Sequence, residues 1–250
     1  MSVIDILLKS FDPQPPFCSA VILAAGSSQR MGADKILMEL GGMPVIARTL
    51  LAFQKSDCVS EIVVVTASER IGKVSDICRD YGITKISRVV CGGRTRAESA
   101  LAGVMQCDRR AKLIAIHDGA RPFATQELIR RTVYDASKNR ASAPAVRPTD
   151  TVRILDADGK AVSTPDRKNV ALMQTPQIFD ADIIKGALTN AVVSDAAITD
   201  DCFAVEAMGF KISIVDGEDD NIKLTTVRDI RIAEQIIEKR GQEDEDWPRI

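Results

Sequence analysis

The sequence predicts an α/β fold, a doubly wound and mainly parallel sheet with helices on both faces. Short runs rich in β-branched residues alternate along it with longer segments whose apolar residues recur at helical spacing. The alternation breaks once, at Asp158-Gly159, a hairpin turn signal. At 250 residues the chain holds ample material for one large α/β domain or two small ones, each with a hydrophobic core.

In chain order, the run AVILA at 20–24 opens the sheet, and further strands are expected at 61–66 (EIVVVT), 85–90 (KISRVV), 113–117 (LIAIH), 141–146 (ASAPAV) and 211–215 (KISIV). Helical spacing fills the intervals at 43–54, 68–81, 96–106, 125–139, 180–193 and 200–208. A closing helix starts near Thr226, where Thr and Asp suit the positive end of the helix dipole, and runs to about 239. These elements form a single domain over 18–240, preceded by an extension (1–17) and followed by an acidic tail (241–250). Two short extended runs, 151–156 and 160–164, flank the hairpin turn and make an arm of about 147–170. An isolated two-stranded hairpin is marginal in water, so the arm should pack on something, either a second subunit or, as a surface flap, its own chain.

Thirty-three Lys and Arg against 35 Asp and Glu leave a formal net charge of −2, which predicts neither nucleic acid nor an anionic membrane as a partner. Anionic ligands must therefore be caught locally. Cys18, Cys58, Cys78, Cys91, Cys107 and Cys202 show no metal-ligand spacing, and the chain is too large to need disulfide staples. The N-terminal apolar run is too short for a signal peptide and is broken by Asp5 and Lys9, and no later stretch reaches membrane-spanning length. A reducing, cytoplasmic setting is the expectation.

Chemistry enters with AVILAAGSSQRMGADK, from 20 to 35. Ala24, Ala25 and Gly26 leave backbone amides open to a phosphate or base, Ser27 and Ser28 add hydroxyl donors, and Arg30 and Lys35 bring charge. A dinucleotide-binding turn would need three spaced glycines and a later acid, and a P-loop would need Gly-Lys-Ser/Thr; both are lacking. Ordinary turn residues with solvated charges remain the competing reading. In IAIHDGARPF, Asp118 stands just past the carboxyl end of a strand, where ligand groups gather in open α/β sheets, and an acid there can hold Mg²⁺ against phosphate oxygens. His117, the one histidine, tempts an acid/base reading, but group transfer at a phosphate, phosphoryl or nucleotidyl, chiefly needs positioning and charge neutralisation, so it reads as structural. Arg121 either pairs with Asp118 or fixes the loop.

Taken in order, AAGSSQRMGADK, CGGRTRAES, HDGARPF, TDTVR, TPDR, QTPQIF, TDD and DNIKLTT resemble the 2-C-methyl-D-erythritol 4-phosphate cytidylyltransferase family of the non-mevalonate isoprenoid pathway. The resemblance spans about 19–237. It implies a Rossmann-like nucleotidyltransferase sheet with a protruding β-arm exchanged between two subunits of a homodimer. It also implies Mg²⁺-dependent transfer of CMP from CTP to a small sugar-alcohol phosphate, by in-line attack of the acceptor phosphate on the α-phosphorus with loss of pyrophosphate.

By the same resemblance, the 24–30 loop wraps the CTP phosphates, Gly93 and Ser99 seat cytidine, and Arg96 supports them. Arg30 and Lys35 stabilise charge growing at the α-phosphate, and Lys223 faces the reacting phosphates, oriented by Asp220. Asp118 lies near Mg²⁺. For the acceptor, Thr151 and Arg167 come from the arm of the neighbouring subunit, Thr175 forms the opposite wall, and Asp220 is counted with them. The chain departs from the family's common pattern at Ser28, Gln29, Asp34, Arg94 and Met173. A ribitol 5-phosphate cytidylyltransferase and a non-catalytic nucleotide-binding homologue are the alternatives. Retention of Arg30, Lys35, Asp118 and Lys223 together argues against the latter.

Overall fold

The structure is a computed structural model that describes residues 16–26 and 34–243. Ser27, Ser28 and Arg30 of the phosphate loop therefore lie outside the described residues, as does nearly all of the N-terminal extension. In chain order the elements are β1 (Cys18–Ala24), β2 (Glu39–Leu40), β3 (Met43–Pro44), α1 (Val45–Lys55), β4 (Glu61–Thr66), a 3₁₀ turn (Ser68–Arg70), α2 (Ile71–Asp80), β5 (Ile86–Cys91), α3 (Arg96–Val104) and β6 (Leu113–Asp118). There follow α4 (Gln126–Asn139), β7 (Ala141–Val146), β8 (Ile154–Leu155), β9 (Ala161–Ser163), a 3₁₀ turn (Arg167–Asn169), β10 (Leu172–Met173), β11 (Gln177–Asp180), α5 (Ala181–Val193), α6 (Asp201–Glu206), β12 (Ser213–Asp216) and α7 (Val227–Glu243).

Eight strands make the central sheet. β5, β4, β1 and β6 run parallel, with Val21 of β1 opposite Val63 on one side and Ile116 on the other. β11 then pairs antiparallel with both β6 and β7, β10 continues along the same edge of β7, and β12 lies parallel on its far edge. Side-chain alternation divides the core cleanly. Ala20, Ile22, Ile62, Val64 and Ala115 face a layer of α1, α2 and α4 built on Leu50, Phe53, Val74 and Leu128. Val21, Val63, Val65, Ile114 and Ile116 face α3 and α5 through Ala100, Val104, Ile184 and Leu188. Covered on both faces, these strands read as continuous apolar runs, and each fully buried large side chain contributes about 1.5–3 kcal/mol over exposure. α3 reaches its sheet so closely that a Cβ at Gly103 would stand 2.4 Å from Val21 Cγ1.

The expected strands and helices are all present, with ends shifted by a few residues. The differences lie in short pieces. Residues 177–179, to which no element was assigned, and Asp180, expected to start a helix, form β11, whose four residues are too few to show a period. β12 begins two residues later than the KISIV run, and α7 carries on to Glu243, three residues into the expected tail. The hairpin is present as β8 and β9, turned at Gly159, whose φ of +79° suits glycine. Ile154, Leu155 and Val162 on it stay about half exposed or more.

Candidate active site

The strand order reverses at β1, with β4 on one side and β6 on the other, so a crevice opens beyond the carboxyl ends of these strands. A cleft of about 320 Å³ lies there. Ala24, Ala25 and Gly26 border it at the exit of β1; Lys35 stands nearby, and Gly93, Thr95, Arg96 and Ser99 surround the start of α3. Asp118 from the end of β6 and Lys223 from the loop after β12 complete it. Nine residues picked out from the sequence thus meet in one cavity.

Local chemistry explains the shape of its walls. Thr95 caps α3 by accepting from Glu98 N, and the Glu98 carboxylate turns back to accept from Arg94 N at 2.7 Å. Ser99 Oγ accepts from Gly93 N at 3.1 Å and donates to Thr95 O at 2.9 Å, which folds the β5–α3 loop over the cleft. Gly93 has to be glycine there, because a Cβ would stand 2.2 Å from Glu98 Cβ. Arg94 borders the cleft with its side chain largely exposed, and its guanidinium pairs with Glu98 at 3.3 Å. On the other wall Arg70 clasps the chain leaving β1. Its guanidinium donates to Ala24 O at 3.1 Å and to Ala25 O and Gly26 O at 3.4 Å, and meets Asp34 Oδ1 at 3.4 Å. Asp34 thereby holds the far end of the loop to the same cation.

Asp118 is the electrostatic centre. Lys223 Nζ lies 2.9 Å from its carboxylate, Arg121 Nε 3.4 Å and Arg96 Nη2 3.9 Å. Burial opposes its charge, but Lys223, Arg96 and Arg121 outweigh burial and hold the carboxyl down at about 2. Arg96 also pairs with Asp201, 2.7 Å away and fully buried. Burial resists the Arg96 charge, and Asp201 with Asp118 and Asp200 overcomes it, raising its pKa further, while burial raises the Asp201 carboxyl against the pull of Arg96. His117 is buried against Phe53, and burial lowers its pKa to about 4 despite the Arg121 carbonyl and Asp118. Both of its ring nitrogens meet protein groups, Arg121 O and Thr175 Oγ1, and it does not border the cleft.

Four predicted acceptor residues sit elsewhere. Thr151 and Arg167 are exposed on the arm, where Arg167 donates to Thr149 O at 3.1 Å, and neither borders the cleft. Thr175 is buried beneath the site, with its hydroxyl accepting from Asp118 N at 3.1 Å and 3.0 Å from His117 Nδ1. Asp220 does not border the cleft, and the acid paired with Lys223 is Asp118. Met173 keeps its place by packing partly buried against the second core layer.

Among the described residues no group of three or more His, Cys, Asp or Glu could hold a metal ion alone. A single ionised carboxylate at a phosphate-sized cleft still fits Mg²⁺, which commonly takes one or two carboxylates together with substrate phosphates. Three residues lay outside the sequence expectation: Arg70, Asp201 and Asn221. Arg70 had no local signal. Asp201 and Asn221 stood inside the TDD and DNIKLTT motifs with no role attached.

Comparison with known proteins gives a consistent relationship. The family profile described as IspD, 2-C-methyl-D-erythritol 4-phosphate cytidylyltransferase, matches residues 18–239. A relative of that name from Alkaliphilus oremlandii (strain OhILAs) is 35% identical over 227 residues, covering 90% of this chain and 96% of the relative. The crystal structure of 4-diphosphocytidyl-2C-methyl-D-erythritol synthase from Anaerococcus prevotii DSM 20548 superposes with a TM-score of 0.81 at 35% identity, over 90% of this chain and 97% of that one. That of 2-C-methyl-D-erythritol 4-phosphate cytidylyltransferase from Thermus thermophilus gives 0.73 at 26% identity, over 89% and 99%. No helix among the described residues is long and apolar enough to cross a membrane.

Proposed function

Because the chain belongs to the 2-C-methyl-D-erythritol 4-phosphate cytidylyltransferase family, we propose that the cleft at the end of β1 and β6 is where that reaction runs. The enzyme transfers CMP from CTP to 2-C-methyl-D-erythritol 4-phosphate in isoprenoid precursor biosynthesis and releases pyrophosphate. The observation that carries the site assignment is the convergence of Lys35, Arg96 and Lys223 with Asp118 on one cavity.

An acceptor phosphate oxygen attacks the α-phosphorus of CTP, a new P–O bond forms, and the α–β bridging P–O bond breaks as pyrophosphate departs. The acceptor phosphate is already an anion, so no base is required, and His117 is free to remain structural. Ala24, Ala25 and Gly26 present backbone to the phosphates, Gly93 and Ser99 border the nucleoside side, and Lys35 and Lys223 meet charge growing at the α-phosphate. Arg30 belongs with them in this reading. Asp118 would hold an Mg²⁺ carried in on the triphosphate, and such an ion, when bound, neutralises charge on the phosphate oxygens.

The acceptor side rests on the arm. Thr151 and Arg167 lie away from the cleft of their own chain, and the arm leaves Ile154, Leu155 and Val162 uncovered. Both facts favour a homodimer in which the arm of one subunit reaches the site of the other, with Thr175 and Asp220 supporting the wall near Asp118. A cytoplasmic location accords with six free cysteines.

The deciding experiment follows pyrophosphate release from CTP and Mg²⁺ with methylerythritol phosphate or ribitol 5-phosphate as acceptor. Turnover with methylerythritol phosphate at a kcat/KM at least tenfold above that for ribitol 5-phosphate is expected. The reverse preference would overturn the acceptor, and no turnover with either would overturn the enzyme.

A further inference from the structure

Asp118 and Lys223 are brought together from elements more than a hundred residues apart, the end of β6 and the loop after β12. Their 2.9 Å contact depends on whatever joins those elements. Beneath it lies a closed ring of hydrogen bonds. Asn221, fully buried two residues before Lys223, donates through Nδ2 to Gln174 Oε1 at 3.2 Å and to Thr175 O at 2.9 Å. Thr175 Oγ1 accepts from Asp118 N and touches His117 Nδ1. His117 Nε2 lies 3.0 Å from Arg121 O, and Arg121 Nη1 donates to Asn221 O at 2.7 Å, which closes the ring.

The ring also fixes its own protons. A carbonyl oxygen only accepts, so His117 must carry its proton on Nε2, and Nδ1 then accepts from the Thr175 hydroxyl. Gln174 strengthens the joint by treating Glu218 as a neighbouring strand would, accepting from Glu218 N at 3.2 Å and donating to Glu218 O at 2.8 Å. On the far side of Lys223, Leu224 N donates to Ala120 O at 2.9 Å. Lys223 is thus anchored before and after to the loop that carries Asp118.

Asn221 enters this arrangement as a donor. Its two amide hydrogens are used, while Oδ1 is buried with no partner among the described residues. The two groups it serves are both carbonyl oxygens. An aspartate of the same shape would bring no donor and would press a buried anion against them.

Resting on the placement of Lys223 at the triphosphate, we infer that Asn221, with Gln174 as its partner, is the positioning residue that aims Lys223 at the reacting phosphates. It touches no substrate. Its loss lets the 218–223 loop drift, and a displacement of about 1 Å at a transition-state donor costs about 100-fold in rate.

The test is a double-mutant cycle on the full-length enzyme, with kcat, the KM for CTP and Tm measured for Asn221→Ala, Lys223→Ala and both together. Expected results are a fall of about 100-fold in kcat for N221A with the KM for CTP changed less than threefold, and less than threefold further loss when N221A is added to K223A. N221D should lose at least as much as N221A. Equal losses from N221A in both backgrounds would overturn the inference, since a purely structural defect would not depend on Lys223. Should N221A fail to fold, Gln174→Leu, which removes Asn221's acceptor and the Glu218 pairing, is read through the same cycle with the same criteria. If K223A itself keeps wild-type turnover, the placement of Lys223 fails and this inference with it. If K223A is impaired while N221A is not, only the positioning role is lost.

Discussion

Replacing Asp201 by alanine separates the charge of Arg96 from its buried partner, and the structure sets the size of the effect. Asp201 has no exposed surface, and its carboxylate stands 2.7 Å from Arg96 Nη2. Removing one member of a buried ion pair costs about 3–5 kcal/mol, because the other charge is left uncompensated. Arg96 retains 27% of its side-chain surface toward the cleft and a second acid, Asp118, at 3.9 Å. Water and that acid relieve part of the penalty, which places the loss at the lower end, about 3 kcal/mol. In a chain of this size that corresponds to a fall in Tm of about 6–12 °C. Arg96 should also swing toward Asp118 and compete with Lys223, so affinity for CTP drops along with stability. Thermal unfolding and calorimetric titration with Mg²⁺·CTP measure the two effects. D201N keeps an acceptor for Arg96 while removing the charge, and it should fall between wild type and D201A. A Tm within about 2 °C of wild type for D201A, on the scale set by those ion-pair energies, would refute the claim that Asp201 neutralises Arg96.

Three further outcomes are expected. Lys35→Ala should lower kcat by about two to three orders of magnitude with an intact fold, as loss of one transition-state donor does, and wild-type turnover in stopped assays would remove Lys35 from the chemistry. Arg167→Ala should raise the KM for the acceptor more than the KM for CTP, and equal effects on both would remove the arm from acceptor binding. For the thiols, burial pushes Cys18 and Cys107 up to about 12 and Cys78 to about 11, and it raises Cys202 as well, while Cys91 is exposed. A raised thiol pKa means less thiolate at any given pH, so at about pH 8 a thiol-reactive dye should label Cys91 quickly, Cys58 more slowly and the four buried thiols only on unfolding. Rapid labelling of Cys18 or Cys107 in the native enzyme would contradict their burial.

The fold was legible wherever an element is long enough to display its period. β4 and β7 fall on the expected residues, and α1 to α5 lie within two residues of them at most ends, because their apolar patterns continue for six residues or more. β10 and β11 carry too few residues for a period, and β11 turns antiparallel through its pairing with β6, a property of its neighbours rather than of QIFD itself.

The site divides along the same line. Lys35 and Asp118 could be found because one stands in a small-residue loop and the other at a strand end, settings that already state a chemistry, whereas Gly93 and Lys223 were reached through the likeness of the CGGRTRAES and DNIKLTT motifs to a family. Arg70 grips carbonyl oxygens 44 to 46 residues before it, and nothing around Ser68-Glu69-Arg70 reveals the distance to be crossed. Asp201 and Asn221 are harder still, since each sits in a recognisable motif yet meets other protein groups instead of ligand. A buried polar residue of this kind is constrained by its hydrogen-bond partners as tightly as a catalytic one is by its substrate. Asn221→Asp bears on the two sorts of constraint: it alters no atom that faces the cleft, and a loss of turnover comes through Gln174, Thr175 and the loop that carries Lys223, together with the field of the added carboxylate.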